Sequence, residues 1–183
     1  MLDHHEAMGR VAAAALENGN RIINSKSDTA ENPVLYITVM TRMGNVTIAG
    51  TANQGYFQAI HELRWSNVDG FNPEKLPHIT DAQEFVQNQE YQPIDGAIEL
   101  TKYEPDDDPI EYFDGIKVKH MLYPYESDFG LKQYRKATNV VVDRADKILA
   151  DVGSEFEIEM DANEAADTAG EEMQDEPNLR HIQ

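Results

Sequence analysis

The residue types that do chemistry are few in this chain and poorly spaced for it. There is no cysteine, so disulfides, thiolate zinc sites and cysteine nucleophiles are excluded. Six histidines stand at positions 4, 5, 61, 78, 120 and 181. Apart from the adjacent His4 and His5, no two of them have the spacing of metal ligands. His61-Glu62 has no second histidine four residues on, so it does not make a zinc-protease helix. The cluster Asp106-Asp107-Asp108, with Glu104 and Glu111, offers hard oxygen ligands, but the offsets of a calcium loop are missing. It reads as a solvated acidic loop. There is no glycine-rich phosphate loop and no serine elbow. No catalytic residue, metal or cofactor is expected. The one modification signal is the sequon Asn45-Val46-Thr47, placed at a hairpin tip where a glycan on Asn45 would fit.

Asp3-His4-His5 matches the short motif that names one phosphoesterase family, where it follows a buried strand and is completed by further aspartates. No strand-forming run precedes it here, so the segment reads as a solvated helix start. Asp3 and Glu6, with Arg10 the only nearby cation, do not make a Sec signal. The longest apolar run, residues 11–16, is far below the ~20 residues of a membrane span.

Charge is the strongest compositional signal. The 183 residues carry 34 acids against 15 bases, a net charge of −19. That excludes nucleic acid as a phosphate-bound partner and an anionic lipid surface as a charge-bound one. Such self-repulsion suits molar salt, where the Debye length falls from ~10 Å to ~3 Å. Residues 161–183 hold seven of the acids and one arginine, and the remainder is still strongly acidic, so a halophilic protein is preferred over an acidic mesophilic one.

Stepping from chemistry to scaffold, residues 3–23 have helical spacing. Met8, Val11, Ala12, Ala15, Leu16, Ile22 and Ile23 fall near one face, Asp3 and Glu6 sit at the positive end of the dipole, and Asn18-Gly19-Asn20 stops the run. With a polar, turn-rich stretch to residue 33, this predicts an arm separate from the body, an assembly arm formed by those seven residues. Residues 34–40 and 45–49 read as strands joined by a turn at Arg42–Asn45. Residues 55–65 fit helix or strand. Thr80 caps a short helix containing Phe85 and Val86. Residues 94–103 read as a hairpin around Asp95-Gly96, and 110–113 and 116–123 as strands separated by Asp114-Gly115. Further strands are expected at 129–134, 138–142 and 155–160, with a short helix at 143–152. In 155–160 Phe156, Ile158 and Met160 alternate with glutamates. Residues 161–183 are too poor in apolar side chains to pack. The expectation is an all-β body: a single jelly-roll or β-barrel of about eight antiparallel strands over residues 34–160, with residues 1–33 as helical arm and linker and 161–183 as an acidic C-terminal tail. An α+β domain is the competing architecture.

The arm, the short strands at 34–40, 45–49, 116–123, 138–142 and 155–160, and the acidic tail together resemble the small major capsid protein of haloarchaeal icosahedral viruses with an internal membrane, a family of vertical single β-barrels. The resemblance implies a structural virion protein located in the capsid, not an enzyme, forming a homo-oligomer and pairing with a larger sister capsid protein in high salt. The internal viral membrane would be reached through a neighbour, with no nucleic acid and no small-molecule substrate as partner. A tail-tube or head-completion protein of a haloarchaeal tailed virus, and an acidic cytoplasmic enzyme or small-ligand binder with an unrecognised site, are the alternatives.

Overall fold

The computed structural model describes residues 3–27, 34–52, 54–67, 72–105 and 109–158. The first helix, α1 (His4–Glu17), is shorter than the expected 3–23: Ile22 and Ile23 lie in the strand that follows instead of on its face. The Asp3 carboxylate accepts the Glu6 N–H at 2.8 Å, and the Glu6 carboxylate accepts the Asp3 N–H at 2.8 Å, a reciprocal cap that satisfies two otherwise orphaned donors. Gly19, at φ +78°, ends it in a conformation that favours glycine.

The chain then continues as β1 (Arg21–Ser27), β2 (Val34–Thr41), β3 (Gly44–Thr51) and β4 (Phe57–Arg64), followed by α2 (Ile79–Asn88), β5 (Gly96–Tyr103), β6 (Tyr112–Leu122) and α3 (Leu131–Glu155). The six strands form one sheet in the order β1-β2-β3-β4-β6-β5, every pair antiparallel. Residues directly opposite in such pairs share a face. Leu35, Ile37 and Val39 thus stand beside Gly50, Ile48 and Val46, and Ala59, His61 and Leu63 beside His120, Val118 and Ile116. This is the inner face, and its apolar residues are buried.

α3 covers that face. Tyr134, Ala137, Val141, Ala145, Ile148 and Val152 recur at intervals of three, four and seven and are all buried, the spacing of one helical stripe. α1 lies against α3 and against β1 and β2, with Ala7, Val11, Ala14 and Ala15 buried in the same core. The protein is therefore rich in antiparallel β-structure, as expected, but the architecture is a two-layer α+β sandwich. The eight-stranded barrel is replaced by six strands in a sheet with β1 and β5 as its edges.

Four expectations are corrected by particular contacts. The arm is core: Val11 and Ala15 are fully buried, Met8, Ala12 and Ile22 pack against the core, and of the seven residues only Leu16 and Ile23 are exposed. Its apolar stripe finds α3, a partner hidden while 129–134 and 138–142 read as strands. The linker is not a linker throughout, since β1 pairs with β2. Asp114-Gly115 is not a turn. β6 runs straight through it beside β4, where a Cβ on residue 115 would lie 2.0 Å from the Leu63 carbonyl oxygen, so the glycine permits close approach instead of reversal. The alternation at 155–158 is a helix cap. Glu157 adopts φ +53° and the Ile158 N–H donates to the Gly153 carbonyl at 2.8 Å, the Schellman arrangement with its apolar residue after the left-handed position. Phe156 packs edge-on against Phe85 of α2. Residues 159–183 lie outside the described residues, Met160 and the acidic tail with them.

Two arm residues separate the core reading from the contact-arm reading. Val11→Asp places an uncompensated charge in the interior and should abolish the cooperative thermal transition followed by circular dichroism. Leu16→Asp, at a position 62% exposed, should leave the midpoint within a few degrees.

Candidate functional site

The histidines and carboxylates singled out in the sequence are mostly committed to the fold. His4 is buried, its Nε2 donating to the Gly50 carbonyl at 3.1 Å and its Nδ1 accepting from the Tyr125 hydroxyl at 2.7 Å. It ties α1 to β3 and to the loop after β6, while His5 is exposed. His61 is buried and its Nδ1 donates to the Asn45 carbonyl at 2.7 Å. Asn45 itself stands exposed near the start of β3. His78 is exposed beside Tyr112. Glu104 and Glu111 both pair with Lys102, and Asp106–Asp108 and His181 fall outside the described residues. Buried Asp114 accepts from the N–H and hydroxyl of Ser66 at 2.9 and 2.8 Å. Among the described residues no group of three histidines and carboxylates is placed to hold a metal.

One polar feature of the fold is built from residues that no sequence motif joins. A cleft of about 650 Å³ opens where the end of α1, the start of β1, the β2–β3 turn and α3 meet. Arg21, Arg42 and Arg135 line it together with Met40, Met43 and Asn139, and among the described residues no aspartate, glutamate or lysine does. Each element delivers its arginine for a local reason. Arg42 and Met43 are the two turn residues, held by the Thr41 hydroxyl, which donates to the Gly44 carbonyl at 2.7 Å and accepts the Met43 N–H at 3.2 Å. Gly44 sits at φ +128°, and a Cβ there would come within 2.9 Å of the His61 ring, so the turn needs glycine. Arg135 is oriented by its Nε, which donates to the Asn18 side-chain oxygen. Asn20 accepts from Asn18 and from the buried Tyr134 hydroxyl at 2.8 and 2.9 Å, which fixes that wall.

On the outer face of the sheet Glu62 pairs with Arg64 and Lys117 at 2.9 and 2.8 Å, and Glu99 with Lys119. No ion pair among the described residues involves Arg21, Arg42 or Arg135. Three of the chain's seven arginines thus stand together unneutralised, next to Met40 and Met43, which are 45% and 57% exposed. Guanidinium groups grip carboxylate and phosphate oxygens in bidentate fashion, and the thioethers add an adaptable apolar surface. Among the described residues the lining holds no histidine or carboxylate, and its Thr138 hydroxyl donates back to the Tyr134 carbonyl. The arrangement presents three guanidinium groups to the cleft. The only signal in the sequence was the scarcity of cations. Positions 21, 42 and 135 lie on three separate segments, read as the end of a helix, a turn and the gap between two strands. Compared with protein-family models, curated proteins and solved structures, the chain matches none.

A second, smaller concavity of about 160 Å³ lies between the β5 edge and the start of α3. Its loop is held by Arg10, which donates to the carbonyls of Pro124, Glu126, Ser127 and Phe129 at 2.6–3.3 Å. The Tyr123 hydroxyl donates to Asp95 at 2.8 Å. His120 lines it at 8% exposure, and its Nδ1 has no partner. Burial holds the His120 ring below its ordinary 6.5, against the pull of Asp95 and together with the push of Lys136. Unfolded, the ring titrates near 6.5; folded, it titrates lower. Between those values the unfolded state holds more protons, so this residue makes stability rise with pH there and is neutral in both states above. The stability of the wild type relative to His120→Gln, measured by urea unfolding, should therefore fall between pH 7.5 and pH 5 (about one unit above and 1.5 below the ordinary value). A pH-independent difference would contradict the burial argument.

Proposed function

We propose that the protein is a non-catalytic structural subunit that works by contact, taking an acidic segment of a protein partner into the arginine cleft. The observation that carries this reading is the group of three unpaired arginines without a carboxylate, on a chain of net charge −19. Like charges gathered in this way disfavour the free state, and an incoming anion relieves them. The adjacent methionines favour a peptide, which brings apolar side chains, over a bare inorganic ion. In the form that the capsid resemblance implies, the partner would be another shell protein of a virion in high salt. The closed barrel on which that form leaned is absent from the six-stranded sheet, so the coarser reading, an assembly subunit, is the one the cleft supports.

The test is direct binding of a fluorescent deca-glutamate peptide, followed by anisotropy. Arg42→Glu, at the exposed turn, should weaken binding by roughly tenfold, because one guanidinium contact becomes a repulsion. Unchanged binding in Arg42→Glu, or no binding to the wild type, would remove the cleft as the functional surface. The acidic coat gives an independent expectation. Raising salt from 0.1 M to above 1 M shortens the screening length from ~10 Å to ~3 Å, so the thermal midpoint should rise across that range. A midpoint that is flat or falls would contradict the halophilic reading.

A further inference from the structure

We propose that the smaller concavity, between the β5 edge and the start of α3, binds a small zwitterion of the α-amino acid class and of about glycine size. Its ammonium group meets the carboxylates of Asp95 and Glu126, its carboxylate meets Lys136, and the His120 ring is hydrogen-bonded to the bound molecule. The site shares no lining residue with the arginine cleft and does not depend on what that cleft binds.

The site is assembled where β5 starts, β6 ends and α3 begins. His120 stands directly opposite Gly96 on β5 and Ala59 on β4. Directly opposed residues share a face, so the ring is flanked by a residue with no side chain and by a single methyl group, which leaves room beside it. Gly96 is required for a second reason. A Cβ there would lie 1.9 Å from the Lys119 carbonyl oxygen, so glycine permits the close approach. That approach lets the Asp95 carbonyl accept the Met121 N–H at 2.7 Å, which holds Asp95 against the end of β6. The opposite wall is fixed as well. The Gln133 amide donates to the Asp128 carbonyl at 2.7 Å and accepts the Gly130 N–H at 3.1 Å, and Arg10 grips the same loop. A site preformed in this way loses little binding energy to ordering.

Two observations give the ligand and its class. First, His120 is 8% exposed and lines the concavity, yet its Nδ1 has no hydrogen-bond partner. Buried polar atoms are seldom left so, and a polar molecule held in the concavity supplies the partner. Second, the lining carries both signs of charge. Beyond the effect of burial, the His120 ring feels Asp95 and Lys136 with opposite sign. Beyond its hydrogen bond to Asp95 and its burial, the Tyr123 hydroxyl feels the charges of Asp95 and Glu126. The two carboxylates thus gather about Tyr123, and the ammonium stands on α3. A simple cation would face Lys136 and a simple anion would face two carboxylates, whereas a molecule carrying both charges complements both sides. A metal ion is set aside, since among the described residues no three histidines and carboxylates are placed to hold one. The volume of about 160 Å³ leaves room for about five water-sized atoms at ~30 Å³ each. That is the size of glycine or alanine. Buried Leu122 and Phe129 give the short carbon skeleton an apolar floor.

The experiment titrates glycine into the full-length protein at pH 7.5, about one unit above the ordinary imidazole value. Binding is followed by calorimetry and by the imidazole NMR signals, with acetate and methylammonium as single-charge controls. Glycine should bind with a Kd of roughly 1 mM, as befits so small a ligand. It should shift the His120 ring signals, identified by their loss in His120→Gln, and leave those of exposed His5 in place. Acetate and methylammonium should each bind about tenfold more weakly or worse, lacking one charged hydrogen bond. Lys136→Met and Glu126→Gln change exposed side chains, so both variants should keep the thermal midpoint within a few degrees and weaken glycine about tenfold. No binding of glycine well above that concentration, or binding that leaves the His120 signals unmoved, would overturn the proposal. So would glycine affinity that is unchanged in both variants. Methylammonium or acetate binding as tightly as glycine would make this a simple cation or anion site and overturn the zwitterion; these two controls need no variant to fold.

Discussion

Everything in this protein depends on one face of α3 lying along the inner face of the sheet. The strands alternate, so their apolar side chains all emerge on one side. Ile37, Val39, Val46, Ile48, Ala59, Ile116 and Val118 are buried there. An antiparallel sheet can leave its other side in water but must cover this one. A helix of 25 residues, about 37 Å long, crosses the sheet and covers it. The strip left over is narrow, and α1 fills it with a face of small residues, Ala7, Ala14 and Ala15 around Val11. Once α1 is in place, His4 and Arg10 can tie it to the loop between β6 and α3, which fixes where α3 begins. The position of Arg135, and hence of the cleft, follows from that chain of contacts.

The second constraint is charge. Of the described cations, Arg64, Lys102, Lys117, Lys119 and Lys147 form an ion pair with a carboxylate. Glu62 holds two cations, Lys102 meets two glutamates, and Lys147 meets Asp151 four residues on. Arg10 is used by four carbonyls. The three arginines of the cleft form no ion pair among the described residues, and they line one concavity, the kind of place where binding surfaces are found. Among the described residues that line the cleft there is no histidine, aspartate, glutamate or lysine. Of the buried histidines, His4 has both ring nitrogens engaged and His61 one, while His120 lines the smaller concavity, and buried Asp114 serves Ser66.

Much of the local structure was legible because it is decided by near neighbours. The start of α1 at Asp3, its stop at Asn18-Gly19 and the hairpin of β2 and β3 around Arg42–Gly44 follow from contacts within a few residues; the short helix carrying Phe85 and Val86 forms as well, but it starts at Ile79 after His78 and is not capped by Thr80. The acidity and the lack of thiol chemistry follow from composition alone. In each case the competing conformations differ locally, so the sequence chooses between them.

The tertiary structure decided the rest. Val140-Val141-Val142 is a β-branched run that suits a strand, yet it sits in the middle of α3, because Tyr134, Ala137, Val141, Ala145 and Ile148 together match the sheet as a helical stripe. The alternation of Phe156 and Ile158 suits a strand too, and becomes a helix cap because Gly153 and the left-handed Glu157 let the chain fold back. Asp114-Gly115 carries a turn signal, and packing against Leu63 turns it into the middle of a strand. Each of these segments has two local solutions of similar free energy, and the partner surface selects one. The cleft is the extreme case. Its arginines come from positions 21, 42 and 135, and no periodicity links them. The sequence by itself determined an acidic, antiparallel, cysteine-free chain; only the packing of α1 and α3 on the sheet brought its unpaired arginines to one place.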